Sequence, residues 1–427
     1  MIIAFDFPKN TIGDEFDHWP EEFNGLINIQ DGIEPYYGSA PPSFVDLLHK
    51  FGKDFKILSS DKAITSIKPF YYFLETQGPP EGWLGMIDGH ENTLLSGVSE
   101  KILESVREGQ CTIVLWSCNE GYDPFQYEIF DRIYEELESK YLPFDNFIFV
   151  SGNLIIDVLH QAWAKVNNQN YLIKCLPFNN EIYDDYGKIQ DNVIYDKDSK
   201  ERDKYFLLLN RAPRIHRMAF ISWLNSENLL ENTLTSYPSE KLAPYNFSKK
   251  SDLSVYFSRM LCLDRKTKSK CLSGWKDLEE NKLPLIVDVD EWGTNHYSTS
   301  ADWLYSKTFF SVVTESIYDD LSVFLDEKIW KPIYNYHPFL MIGCPNSLVK
   351  LREFGFKTFS PWIDESYDLE LNHGKRMGMV VNEIKKLCSM SIDELRGWYQ
   401  NLIPILEHNK SFLESDSSEF DKLLKRI

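Results

Sequence analysis

The sequence lacks the paired cysteines that bind zinc or build a disulfide framework. Its seven cysteines are scattered and odd in number, and none belongs to a Cys-x-x-Cys pair. The nine histidines show no zinc-ligand spacing either. We therefore expect neither a zinc site nor a set of structural disulfides. This cysteine usage is typical of a reducing compartment, so we expect a cytoplasmic protein.

Several common enzyme signatures are absent as well. No P-loop, Gly-x-Gly-x-x-Gly or Gly-x-Ser-x-Gly pattern occurs, so NTPases, nicotinamide-dependent enzymes and α/β-hydrolases lack their usual mark here. No apolar run reaches the length of a membrane span. The apolar start Met1–Phe5 is followed at once by Asp6 and Pro8, without the basic residues of a signal peptide.

Positive charge is also scarce. The chain has 45 Lys and Arg residues against 65 Asp and Glu residues, for a formal net charge of -20. Proteins that bind duplex DNA usually present a basic face, so the overall charge disfavours a nonspecific nucleic-acid binder.

The length and composition indicate a folded protein. The 427 residues with 43% hydrophobic content predict a globular protein of two or three domains.

The N-terminal part alternates strand and helix patterns from about residue 4 to residue 178. Cys111–Ser117 is its clearest buried strand, and Asn146–Val150 is the next. Such alternation predicts one Rossmann-like domain with a parallel sheet. Glu120 comes just after the carboxyl end of the first of these strands, where parallel sheets bind ligands. An ordinary turn carboxylate is the alternative interpretation.

A basic turn follows the strand pattern Lys204–Asn210 and opens a helix. It contains Arg211, Arg214 and Arg217. Guanidinium groups bind phosphate well, and a helix N-terminus adds a preference for anions. Basic residues at this position oppose the helix dipole, so they need a compensating reason. We interpret the turn as a diphosphate-binding element; the alternative is a turn salt-bridged to the protein's own carboxylates.

The stretch from Phe309 to Phe359 has the clearest strand-helix pattern of the C-terminal part. Apolar strands are predicted at Phe309–Val313 and Pro338–Ile342, each followed by a helix. This order predicts a parallel sheet, which binds ligands at the carboxyl ends of its strands. Four features fall on that edge: Glu315, Glu327, Lys328 and the Gly343–Pro345 turn.

The neighbours Glu327 and Lys328 suit one kind of ligand. A carboxylate accepts hydrogen bonds from a ribose diol, and an ammonium beside a helix N-terminus pairs with phosphate. Together they predict a sugar-nucleotide site. The alternative is a solvated ion pair on a helix surface.

This stretch resembles the donor-binding motif of α1,3-fucosyltransferase-like glycosyltransferases. The matching parts are Val313-Thr314-Glu315, then Glu327-Lys328-Ile329-Trp330, then Phe339–Pro345. The Asp-Tyr-Ile-Thr that often precedes Glu-Lys in that family is Val323-Phe324-Leu325-Asp326 here, and the acceptor half shows no fucosyltransferase signature.

A longer pattern is similar to a set of uncharacterised glycosyltransferase-like proteins of large bacteriophages. It includes Phe149–Asn153, Leu207–Arg217 and Lys350–Phe359. The phage-type resemblance implies that the cytoplasm would be that of an infected host.

These resemblances imply a GT-B architecture, an α/β fold in which two Rossmann-like domains face a central cleft. The implied acceptor domain is 1–180, the nucleotide-sugar domain is 203–360, and helices in 361–427 pack across both. In the donor site, Glu327 would hold the ribose, Lys328 the diphosphate and Glu315 the sugar or ribose hydroxyls. Arg211 and Arg214 would complete the phosphate site.

The implied reaction moves a sugar from a nucleotide-diphosphate donor to an acceptor hydroxyl. Glu120 is then the candidate general base, and Lys328 and Arg211 stabilise the leaving diphosphate. We expect no cofactor. We also expect no metal, because Asp288-Val289-Asp290 is too short a pattern to establish a metal site.

Two alternatives stay open. The acceptor is either a glycan or a hydroxymethylated base in phage DNA, for which the basic segment 265–270 would be suited. The other alternative is not an enzyme: it is a non-catalytic protein that binds a sugar nucleotide or a carbohydrate.

Overall fold

The computed structural model describes residues 1–5, 15–16, 37–38, 44, 47–48, 50–66, 68–76, 80, 84, 93–183, 200–240, 249–287, 302–360, 362–415 and 418–427. Within these ranges the protein is a mixed α/β structure with two sheets of mainly parallel strands. This confirms the predicted α/β class.

The strands and helices of the described ranges are numbered in chain order. The strands are β1 (Ile2–Phe5), β2 (Glu15–Phe16), β3 (Tyr37–Gly38), β4 (Lys56–Ser59), β5 (Phe70–Thr76), β6 (Cys111–Ser117), β7 (Phe147–Ser151), β8 (Lys174–Pro177), β9 (Lys204–Leu209), β10 (Leu234–Ser236), β11 (Thr308–Thr314) and β12 (Phe339–Ile342). The α-helices are α1 (Ser60–Ile64), α2 (Glu100–Arg107), α3 (Ile129–Ser139), α4 (Ile156–Val166), α5 (Ile215–Ser226), α6 (Lys250–Arg259), α7 (Arg265–Asn281), α8 (Asp302–Lys307), α9 (Glu327–Tyr334), α10 (Ser347–Glu353), α11 (His373–Cys388), α12 (Ile392–Ser415) and α13 (Ser418–Arg426).

The chain divides into two compact units. One consists of Met1–Tyr183 with Ser417–Ile427, and the other of Asp184–Asp416. Helix α13 therefore belongs to the first unit, whereas α11 and α12 belong to the second. The domain boundaries drawn from the resemblance stay a prediction.

The first unit is built on a sheet in which β4, β1, β5, β6, β7 and β8 are parallel neighbours in that order. The short strands β2 and β3 pair antiparallel with β4 and β5. Strand β7 is buried along its whole length, as near-continuous apolar runs are in parallel sheets covered on both faces. Helix α2 covers the sheet with Ile102, Leu103 and Val106, the spacing of one helix face.

Helix α13 returns to the first unit and packs on its aromatic core. The Phe420 ring is fully buried and lies 5.4 Å from Phe51 and 5.9 Å from Phe44, between ring centroids. Its backbone N–H donates to the Tyr183 hydroxyl at 2.9 Å. The C-terminal segment thus completes the core of the N-terminal unit.

The second unit is built on a four-stranded parallel sheet in the order β10-β9-β11-β12. All residues of β11 and β12 are buried. The predicted strands Phe309–Val313 and Pro338–Ile342 are confirmed to within one residue at each end. Helices α5 and α7 cross closely at Gly274, where a Cβ atom would collide with the Ser222 carbonyl.

The segment Glu227–Lys282 is more regular than its sequence indicates. Its polar, highly charged composition predicts an irregular loop, but the structure shows β10, α6 and α7 there. Asp264 caps α7 by accepting from the Lys266 and Thr267 N–H groups. The helix then buries a narrow stripe, Cys271, Trp275 and Leu278, among its charged residues. The apolar run Pro284–Val289 predicts a strand, but its described residues form only one bridge, between Leu285 and Tyr237.

No α-helix among the described residues is both long enough and apolar enough to cross a bilayer.

Candidate functional site

Five of the residues singled out from the sequence come together at the carboxyl edge of the second sheet. Ser311 of β11 pairs with Leu207 on one side and Phe339 on the other, so β9, β11 and β12 end close to one another. Arg211 and Arg214 follow β9, Glu315 follows β11, and Glu327 and Lys328 open α9. The five therefore form one cluster.

Glu315 is a buried acid whose surroundings favour its neutral form. Its side chain is 1% exposed, and Oε2 accepts from the Asp326 N–H at 3.3 Å. The second oxygen, Oε1, is buried without a hydrogen-bond partner among the described residues. Burial, and then the charge and hydrogen bond of Asp326, raise the pKa of Glu315 well above its usual range. A neutral carboxyl group at this point can donate a hydrogen bond as well as accept one.

Asp326 is a site residue that was not predicted from the sequence. It is 2% exposed and accepts from the Ser316 hydroxyl at 2.6 Å, the Lys328 N–H at 2.9 Å and the Lys328 ammonium at 2.6 Å. Burial alone would raise its pKa, but Lys328 and the hydrogen bonds hold that pKa well below its usual range. The available signal was an Asp directly before a helix-opening Glu-Lys, the position of an N-cap.

Lys328 is occupied within the protein. Its ammonium contacts Asp326 at 2.6 Å and the Glu327 carboxylate at 2.8 Å. Burial opposes the charged form, but these carboxylates raise the pKa of Lys328 above its usual range. A phosphate at Lys328 would have to compete with two carboxylates for the same ammonium group.

The basic turn divides into an inner and an outer part. Arg217 is 2% exposed and donates to the carbonyls of Thr314 at 2.9 Å and Glu315 at 3.0 Å. Burial and the charge of Arg217 lower the pKa of the buried His216, so its neutral ring donates from Nε2 to the Glu315 carbonyl. These two inner residues hold the end of β11 in place.

The outer part of the turn contributes charge at the surface of the cluster. Arg214 is exposed and donates to the Ser316 carbonyl at 2.7 Å. Arg211 is half-buried directly after β9. Burial lowers the pKa of Lys331, a residue of α9 that was not predicted from the sequence, and the charge of Arg211 adds a smaller effect in the same direction. The cluster therefore holds more basic groups than the motif indicated.

Glu120 lies in the first unit. It follows β6 and is half-buried. Gly152, after β7, packs against this loop, because a Cβ atom at Gly152 would lie 2.7 Å from the Glu120 carbonyl oxygen. Glu120 therefore lies at the carboxyl edge of the first sheet, as predicted. The role of Glu120 as general base stays a prediction.

The last observations concern metal binding and the similarity of this chain to known proteins. Among the described residues no group of three or more His, Cys, Asp and Glu side chains is arranged to hold a metal ion. The pattern Asp288-Val289-Asp290 lies outside the described residues. No protein-family model, no curated protein and no solved structure matches this chain.

Proposed function

We propose that this protein is a glycosyltransferase that binds the diphosphate of a nucleotide-sugar at the carboxyl edge of its second sheet. One observation carries the proposal: basic side chains gather at this edge although the chain as a whole is strongly acidic. They are Arg211, Arg214, Arg217, Lys328 and Lys331.

The balance of charge around this edge favours an anionic ligand. Two carboxylates among the described residues, Asp326 and Glu327, lie beside the basic groups. Burial raises the pKa of the third acid, Glu315, which disfavours its charged form. Carboxyl ends of parallel strands are the usual ligand sites of α/β sheets. A diphosphate at this edge would place negative charge beside these basic side chains.

The site also offers contacts to the uncharged parts of such a donor. Glu327 is half-buried at the first position of α9, where its carboxylate suits a ribose diol. The Oε1 atom of Glu315 has no hydrogen-bond partner within the described part of the chain and suits a sugar or ribose hydroxyl. These are the roles that the resemblance to α1,3-fucosyltransferase-like enzymes implies.

We propose a GT-B arrangement in which the first unit binds the acceptor. Transfer breaks the bond between the anomeric carbon and the diphosphate oxygen, and the diphosphate leaves with the electron pair. The acceptor oxygen bonds to the anomeric carbon, and Glu120 accepts its proton. Basic residues of the cluster stabilise the charge that develops on the leaving diphosphate.

Release of nucleoside diphosphate from a panel of nucleotide-sugars tests this proposal. We expect one donor to release its diphosphate in the presence of a glycan acceptor, with chelator present. Glu120→Gln should lower turnover about a hundredfold or more, because a general base contributes at least that factor. Full turnover in Glu120→Gln would remove it from the mechanism. Binding of a donor without any release would favour the non-catalytic alternative.

One observation favours modified DNA as a second acceptor class. The first turn of α7 presents Arg265, Lys266 and Lys268, while Lys270 pairs with Glu227 at 2.6 Å. The segment is thus a basic helix, which corrects the expected loop. A gel shift of hydroxymethylated DNA that weakens steeply with salt would favour this acceptor over a glycan.

A further inference from the structure

Two lysines on α9 have opposite environments although they lie one helical turn apart. Lys328 and Lys331 are separated by three positions, so their side chains share one face of the helix. The Lys328 ammonium makes two internal ion pairs, with Asp326 and with Glu327. The Lys331 ammonium makes neither an ion pair nor a hydrogen bond with any of the described residues.

The Lys331 side chain is partly buried, which disfavours an ammonium group that makes no ion pair with the described residues. Its backbone lies between Trp330 and Pro332, both of which are buried, so the root of the side chain is fixed. Burial lowers the pKa of Lys331. The charges of Glu327 and Asp326 oppose this effect and those of Lys328 and Arg211 add to it, so burial is the cause that prevails. A partly buried ammonium that makes no ion pair with the described residues costs free energy, which a bound anion would offset.

We propose that Lys331 and Arg211 bind the phosphate groups of the ligand, and that Lys328 is a structural cation that joins Asp326 to the start of α9. This inference rests on the proposed function and changes which lysine contacts the donor. The guanidinium of Arg211 offers a planar fork and the ammonium of Lys331 a point charge, a combination suited to two adjacent phosphate groups.

The division of roles follows from what each lysine already binds. Asp326 accepts from both the N–H and the ammonium of Lys328, and through its own N–H it contacts Glu315. A ligand that drew Lys328 away would leave the buried Asp326 carboxylate without its cation, which is strongly unfavourable. A ligand at Lys331 would break no ion pair with the described residues.

Calorimetric titration of the whole protein with inorganic pyrophosphate, a nucleoside diphosphate and the matching nucleoside tests the assignment. We expect Lys331→Met to weaken pyrophosphate and diphosphate binding about tenfold or more, the value of one charged hydrogen bond. Nucleoside binding should not change, and Lys331→Arg should restore most of the loss. Lys276→Met on α7, whose side chain is 57% exposed, is the matched control and should bind like the wild type.

Proton uptake gives a readout that a purely structural lysine would not move. Because burial lowers the pKa of Lys331 in the free protein, that pKa should rise when an anion binds, and binding should then take up protons in alkaline buffer. Lys328, whose pKa is raised, stays protonated throughout. Titrations in two buffers of different ionisation enthalpy should show the uptake in the wild type and in the Lys276→Met control, and not in Lys331→Met.

The outcomes separate this inference from the proposed function. Unchanged diphosphate affinity and proton uptake in Lys331→Met would overturn the role of Lys331 and leave the proposed function standing. Pyrophosphate binding that depends on Lys331, without binding of any nucleoside diphosphate, would support the anion site and contradict a nucleotide-sugar donor. No binding of either ligand by the wild type would overturn both.

Discussion

The carboxyl edges of the two sheets have the same kind of topology and opposite chemistry. At the first edge the buried polar residues that end or follow the strands are acidic or neutral: Glu75, Thr76, Ser117, Ser151 and Asn153. There, burial and the charge of Glu75 raise the pKa of the Cys118 thiol well above its usual range. At the second edge β9 leads into Arg211 and Arg214, and α9 adds two lysines beside the acid Glu315 that follows β11. Parallel strands provide a place for a ligand, and the side chains at their ends determine its charge.

The largest expected effect concerns the inner arginine of the second edge. Arg217→Met should lower the free energy of unfolding by about 3 kcal/mol, because it removes a buried donor from the carbonyls of Thr314 and Glu315. Urea denaturation measures the change. The matched control is Arg132→Met in the first unit, a surface ion pair with Glu128 for which we expect less than about 1 kcal/mol. Equal losses of unfolding free energy in both variants would show that Arg217 does not stabilise the end of β11.

A smaller effect should appear in the dependence of stability on pH. The folded-state pKa of Glu315 is raised, so the folded protein keeps a proton that the unfolded chain loses above about pH 4.3. Wild-type stability should therefore carry a contribution that falls by about 1.4 kcal/mol per pH unit above that value, until the folded pKa is reached. Glu315→Gln, which mimics the neutral acid, should remove this contribution. The check is a series of urea titrations between about pH 4 and 8.

Asp326→Asn is the matched comparison for that series. The folded-state pKa of Asp326 is depressed, so its contribution to stability is present above about pH 3.9 and is lost as the pH falls through the folded pKa. Asp326→Asn should therefore lower stability at neutral pH, where Glu315→Gln should not. Variants with the same pH dependence would contradict the opposite protonation states of the two acids.

The sequence predicts much of the second sheet because its strands are uniformly apolar. The predicted strands at Phe309–Val313 and Pro338–Ile342 lie within a residue of β11 and β12. Once the strands are parallel, the residues that follow them must lie on one edge. For this reason Arg211, Glu315 and Lys328 are correctly placed together from the sequence alone.

The partners within the site could not be predicted in the same way. Glu315 meets Asp326 across a loop of ten residues, and no periodicity fixes the path of such a loop. The spacing of Lys328 and Lys331 places them on one helix face but does not show which of them meets a carboxylate. The buried stripe of α7 was missed because Cys271, Trp275 and Leu278 stand among charged residues.

The measurement that tests the central claim most directly is a thermal-shift titration with nucleoside diphosphates and their nucleosides, with and without a divalent metal. If the second edge binds the diphosphate, one nucleoside diphosphate should stabilise the protein by about 2.7 kcal/mol at a hundredfold excess over its dissociation constant. The matching nucleoside should shift the midpoint less, and Arg211→Met should abolish most of the difference. No shift with any nucleoside diphosphate, or an equal shift in Arg211→Met, would contradict a diphosphate site at this edge.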